Sequence, residues 1–143
     1  MLSNESVRPA NDLVWLLSGL LERVPDSRSA LLLSADGLRK AAYGMDDDSA
    51  DHLAAVASGL FSLARSAGTR FGGSDTVRQV VAELADTLLF VCAAGSGAVL
   101  AVVAGKGADP GVLGYEMAQL VKGVRPYLST PERRTAAGSA PMR

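Results

Sequence analysis

A leucine stripe of helical period from Leu13 to Val24, an Asp36-Gly37 turn between two strand-length runs, and three more strand-like runs after residue 75 with no helix between them together predict the fold class. It is an α/β (α+β) sandwich: a five-stranded antiparallel sheet flanked by helices, in the order αββαβββα. The chain has 143 residues, which suits one domain. It reads as a flexible N-terminus over 1–10, a folded domain over 11–128 and a disordered C-terminal tail over 129–143.

The first helix is carried by Leu13, Leu16, Leu17, Leu20, Leu21 and Val24, which recur on one face. Asn11 or Asp12 caps it, and Pro25 with Asp26 stops it. Trp15 lies off the stripe, either packed at its edge or exposed as part of a partner surface. Ala30–Leu33 is apolar and of strand length. Asp36-Gly37 tolerates positive φ, and Leu38–Tyr43 returns as the second strand. Arg39 and Lys40 suit a solvated sheet edge that discourages pairing with strangers.

Asp46, Asp47 and Asp48 precede a helical pattern from Ser49 to Ala67. Carboxylates there suit the positive end of a helix dipole. They do not suit a metal site, because adjacent carboxylates on a helix diverge and no EF-hand loop surrounds them. Leu53, Val56, Leu60, Leu63, Ala64 and Ala67 form the apolar stripe. Ala50, Ala54, Ala57, Ser58 and Phe61 lie to one side of it and Gly59 to the other, small residues that permit close approach of another backbone.

After a break at Thr69–Ser74, Thr76–Leu84 is a mixed run that suits an edge strand. Thr87–Ala93 and Ala98–Ala104 are near-continuous apolar runs, as central strands covered on both faces should be. Their short links suit antiparallel hairpins. Asp109 caps the last helix with Pro110 at its first position. Leu113, Met117, Leu120, Val121, Val124 and Leu128 make its stripe, and Pro126 limits it. In 129–143 aliphatic bulk gives way to Pro, Gly, Ser and Arg, the composition of a tail that does not pack.

Composition removes function classes. Lys+Arg is 14 against 15 Asp+Glu, a net charge of −1, so no basic excess draws the chain to nucleic acid. Aromatics are only 5% of residues, which leaves few platforms for stacking bases. One cysteine and one histidine exclude an intrachain disulfide and the usual Cys/His zinc sites. No cofactor is expected. The longest apolar runs fall short of the ~20 residues that a spanning helix needs, and residues 1–10 hold no secretory core, so a cytoplasmic protein without membrane insertion is expected.

Catalytic motifs fail residue by residue. Gly105-Lys106 would be a phosphate loop only with Gly at 100 and Ser or Thr at 107, where Leu100 and Gly107 stand. Gly95-Ser96-Gly97 is no nucleophile elbow, because it joins two strands. His52 lies in a helix with no nucleophile motif to serve. Cys92 sits in the most apolar strand, where an inert buried thiol is expected. The sequence therefore reads as a non-enzyme with no catalytic or metal residues.

The element order, the leucine-striped first helix, Ser34-Ala35-Asp36-Gly37 after three leucines, the alanine-rich second helix, the strand pattern through Cys92, the small-residue turn Ala94–Gly97 and the Val/Leu-rich fifth strand resemble the roadblock/dynein light-chain family. The resemblance covers Leu13–Leu128. It implies a non-catalytic dimerising scaffold whose members pair edge strands into one sheet, pack their second helices together and regulate small Ras-like GTPases. In actinobacteria, whose GC-rich genomes suit this alanine-rich composition, such members accompany a GTPase and a histidine-kinase-like sensor. The resemblance leaves homodimer and heterodimer open; the edge-like strand beside an alanine-rich helix flank favours a homodimer, with Ala54, Ser58 and Phe61 and with Val77, Gln79 and Val81 as the expected contacts. No residue is assigned to the GTPase contact. The alternative is a small-ligand sensor of profilin-like or longin-like shape, which needs a concave pocket with convergent polar groups.

Overall fold

The computed structural model of the chain describes residues 2–95 and 97–139, with helical backbone only for 2–11 and 127–139. Its elements are α1 (Leu2–Arg23), β1 (Ser27–Ser34), β2 (Arg39–Tyr43), α2 (Asp47–Ala67), a π-helical turn (Gly68–Gly72), β3 (Gln79–Glu83), β4 (Thr87–Ala93), β5 (Ala98–Gly105) and α3 (Pro110–Ser139). The strands form one antiparallel sheet in the order β2-β1-β5-β4-β3. The αββαβββα sandwich read from the sequence is the fold.

Alternation along the strands splits the core in two. Ala30 and Leu32 on β1, Phe90 on β4, and Leu100 and Val102 on β5 face one way, where α1 and α3 cover them with Leu13, Leu17, Leu20, Leu113, Met117 and Val124. Leu31, Leu33, Leu89, Val91, Val99 and Ala101 face the other way, under α2 alone. The central strands are apolar at every position because both faces are covered. One face thus carries two helices and the other only one.

Three boundaries differ from the sequence reading. Helical backbone starts at Leu2 instead of Asn11 or Asp12 and continues past Pro126 to Ser139. Neither end carries an apolar stripe, so periodicity does not detect it, yet a helix nucleated elsewhere extends through polar residues at little cost. Pro126 fits helical φ but removes one N–H from the ladder and crowds the preceding turn, at a cost of about 3 kcal/mol, so nothing local to it favours the continuation. Met1, 140–143 and the side chains of both end stretches lie outside the described residues. The third strand is shorter than Thr76–Leu84, because only Gln79–Glu83 finds partners, Cys92 through Leu88 on β4.

Two turns are fixed by side chains distant in sequence. In the β1–β2 turn, Gly37 has φ 97° and its N–H donates to the Ser34 carbonyl at 2.9 Å, while the Ser34 hydroxyl donates to Asp36. The Asp36-Gly37 turn motif is therefore realised, and Ser58 of α2 donates to the Ala35 carbonyl at 2.9 Å to hold it. At the far end of the sheet, Asp26 takes positive φ, 68°. Its carboxylate accepts the Gly107 N–H at 2.9 Å, and its carbonyl accepts the Gly105 N–H at 2.7 Å. A Cβ on Gly105 would fall on that carboxylate. The glycines around Lys106 thus make room for an aspartate, which is the physical reason for a Gly-Lys-Gly run that resembles part of a phosphate loop.

Candidate interaction surface beside the edge strand

α2 begins at Asp46, which caps it by accepting the Ser49 N–H at 2.8 Å. That bond lowers the carboxyl pKa, as expected where a charged acceptor meets a helix N-terminus. The acidic cluster is accordingly a cap and a first turn. Asp47 and Asp51 also hold Arg39 of the edge strand β2, at 3.0 and 3.1 Å. The hydrogen bond from Arg39 to Asp47 raises the guanidinium pKa further.

The orientation of α2 differs from the sequence reading. Ala50, Ala54 and Ala57 face the sheet and are 0–1% exposed. Of the expected stripe, Leu53 is buried, Val56, Leu60 and Ala64 are half-buried, Ala67 is exposed, and Leu63 is 69% exposed. Alanine lets the helix backbone lie close to the sheet, and that rotates the larger leucines to one flank. Leaving Leu63 in water while alanine is buried inverts the usual burial order.

Below that flank the sheet is incompletely covered. Val80 and Ala82 of β3 and Val103 of β5 are half-buried around the core beneath α2. Phe71, in the turn after α2, is 85% exposed, and Val81 and Leu84 are 51% and 57% exposed. Leu63 on α2 and Phe71 just after it are therefore exposed apolar side chains on the helix flank, while Val81, opposite Phe90, is exposed on the other face of the edge strand. Exposed apolar side chains of this size make the flank a candidate interaction surface, and β3, uncharged until Glu83, offers an edge on which another strand can pair.

The six residues expected at a dimer contact divide among different environments. Ala54 is 1% exposed in the core and cannot line an outer face. Ser58 is engaged with the Ala35 carbonyl. Phe61 and Val77 are brought together, with Ala35 and Thr76, in a shallow depression at the sheet end that holds the β1–β2 turn. Val77 lies before β3. Gln79 and Val81 stand opposite Cys92 and Phe90, on the sheet face away from α2. Leu63 and Phe71 are exposed apolar side chains, and Leu60, Val80 and Ala82 half-buried ones, that the contact reading did not name. The detectable signal is two apolar rows on one helix, Ala50-Ala54-Ala57 and Val56-Leu60-Leu63, since a helix with two apolar rows has two surfaces to cover.

The remaining residues singled out by sequence fall as follows. Trp15 is 72% exposed on α1 and does not pack at the edge of the leucine stripe. His52 is exposed on α2. Cys92 is largely buried, and burial pushes its thiol up to about 11. Among the described residues no polar or charged side chain is buried, no group of three His, Cys, Asp or Glu is arranged to hold a metal, and no helix is long and apolar enough to cross a membrane.

The fold is that of a small α/β sandwich domain with an exposed apolar helix flank and a free sheet edge at β3. Residues 13–104 match the family model of the Roadblock/LC7 domain, and the chain belongs to that family. A Roadblock/LC7 domain from Streptomyces avermitilis, an actinobacterium, is 67% identical, with a TM-score of 0.80 over 82% of this chain and 98% of that one. The gliding protein MglB from Thermus thermophilus is 20% identical, with a TM-score of 0.76 over 84% of this chain and 90% of that one. An MglB in a tetrameric arrangement is 19% identical, with a TM-score of 0.77 over the same shares. No curated protein matches the chain.

Proposed function

We propose that this chain is a non-catalytic signalling scaffold that pairs with a second copy of itself and, as a dimer, binds and regulates a small Ras-like GTPase in the cytoplasm, alongside a histidine-kinase-like sensor. The observation that carries the dimer is the inverted helix α2, with alanines inward and Leu63 outward beside the free edge of β3. A second copy related by a two-fold axis would cover the same surface on both subunits. β3 would continue into the partner's β3, and the Val56-Leu60-Leu63 flank would pack on its counterpart. Family membership and the fold shared with the gliding protein MglB support the partner class.

The dimer would act on the GTPase without inserting an arginine. An arginine supplied in trans accelerates hydrolysis by about 10³–10⁵, but it must reach across the interface. Of the arginines in the folded body, Arg23 is held by Glu116, Arg39 by Asp47 and Asp51, and Arg65 by Asp75. Arg28, Arg70, Arg78 and Arg125 complete the set, and none lies on a long insertion. Regulation then comes from binding one conformation of the GTPase more tightly than another.

The test is single-turnover GTP hydrolysis by the co-encoded GTPase, with wild-type protein and with each of these seven arginines changed to alanine. A changed rate that every variant preserves is expected. Loss of all stimulation from one arginine with binding intact would overturn the mechanism. Failure of the GTPase to bind in either nucleotide state would overturn the partner.

A further inference from the structure

A cleft of about 300 Å³ opens between α3 and the start of β3, on the sheet face away from α2. It lies at the lower end of the size range of small-molecule sites. Its floor is aliphatic and sulfur-bearing, from Cys92, Met117 and Val121. Gly114 forms part of the wall, and nothing lies within 4 Å of where its Cβ would be, so the missing side chain leaves usable space. Among the described residues, Arg78, Lys122 and Arg125 stand at the rim and no acidic side chain lines the cleft. In a chain of net charge −1, Arg78 and Lys122 at one small cavity are a local concentration of positive charge, which attracts an anion.

We propose that this cleft binds a small amphipathic carboxylate, an unbranched alkyl chain of about eight carbons with its head at the rim. No aromatic side chain lines it, so a nucleobase would find nothing to stack on, whereas methionine adapts to an alkyl chain. Arginine presents a planar fork that matches a carboxylate, and lysine adds a point charge. A thiol is neutral at pH 7 even at its ordinary pKa, and burial pushes that of Cys92 higher still, so the floor does not repel the anion. None of this depends on the GTPase reading, and the test uses the protein alone.

The experiment is a titration of the ¹⁵N-labelled full chain with sodium octanoate, followed by amide shifts, with octylammonium and octanol as comparison ligands. Octanoate should produce saturable shifts at Gln79, Gly114 and Lys122, and octylammonium none that saturate. Octanol should bind about tenfold more weakly or worse, because it lacks the charge. Lys122→Gln should weaken octanoate by about fivefold or more. Gly114→Leu should abolish saturation while the rest of the spectrum stays folded, since leucine is favoured over glycine in a helix. If that variant does not fold, the Arg78→Gln/Lys122→Gln double variant decides, with loss of saturation expected. No saturable shift below about 10 mM, a range covering any affinity better than roughly −3 kcal/mol, would overturn the proposal. So would equal binding of octanoate and octylammonium, or octanoate binding unchanged in the variants.

Discussion

Strand β2 ends the sheet on one side with Arg39 and Lys40, and Arg39 is tied across to Asp47 and Asp51 of α2. Strand β3 ends it on the other side with Gln-Val-Val-Ala before its first charge at Glu83. β2 therefore presents charge and a bridge to the helix, both of which obstruct an incoming strand. β3 presents none of these in its first four residues, and the adjacent helix flank adds Leu63 and, beyond it, Phe71. The two edges occupy equivalent positions in one sheet, so their difference is written in side chains and not in topology. A monomeric domain has reason to protect both edges. A domain that protects one and leaves the other apolar has a use for the second.

The strongest way to break this contrast is to charge the apolar flank. Leu63→Asp should weaken self-association by about a hundredfold, roughly 3 kcal/mol. The folded subunit should be left intact, because Leu63 is 69% exposed within one chain. Sedimentation velocity over a concentration series would measure it.

A second approach uses alkali. Cys92 stands opposite Gln79 across the β3–β4 ladder, and burial holds its thiol up at about 11. The unfolded chain loses this proton first, at about 8.5–9, so the folded state binds more protons between the two values and stability falls as pH rises. Denaturant unfolding should show a loss on the order of 2 kcal/mol between about pH 8.5 and 11, and Cys92→Ala should remove that part of the slope. Hydrogen exchange should show the loosening on the β3 side of the sheet and not around β2.

Transferring the finish of β2 to β3 gives a smaller effect. Val81→Lys places a charge on the open edge that an incoming strand must desolvate, and it should weaken association by about tenfold, roughly 1.4 kcal/mol. The smallest effect is expected on the protected side. Arg39→Ala removes both bridges to α2, yet surface ion pairs contribute little. It should leave the dimer constant unchanged by the same sedimentation measurement and lower the melting temperature only slightly.

The sequence carried the fold because its strongest signals are local. Leu31–Leu33, Leu88–Val91 and Val99–Val102 are apolar at consecutive positions, as strands covered on both faces are, and the short turns that bound them exclude helices. Asp36-Gly37 fixes a hairpin from within the hairpin. The interaction surface was less legible. Periodicity assigns the bulkiest apolar residues to the core, and α2 places Ala50, Ala54 and Ala57 there instead, so Ala54 was expected outside and Leu63 inside. Which row faces the sheet depends on how closely the helix can approach it, a property of tertiary packing. The Gly105-Lys106-Gly107 turn was opaque for a related reason, since its partner Asp26 lies between other elements. Thr76–Arg78 has strand-like composition but meets no partner on β4, and pairing is not visible in one strand alone.

Association through β3 is tested most directly by light-scattering mass during size-exclusion chromatography, with wild-type protein and Leu63→Asp compared at about 50 μM, where a dimer of micromolar affinity is populated. Wild type should elute at twice the 14.7 kDa chain mass, and the variant at the chain mass with an unchanged circular dichroism spectrum. A monomeric wild type, or a variant that remains fully dimeric, would contradict the role assigned to the open edge.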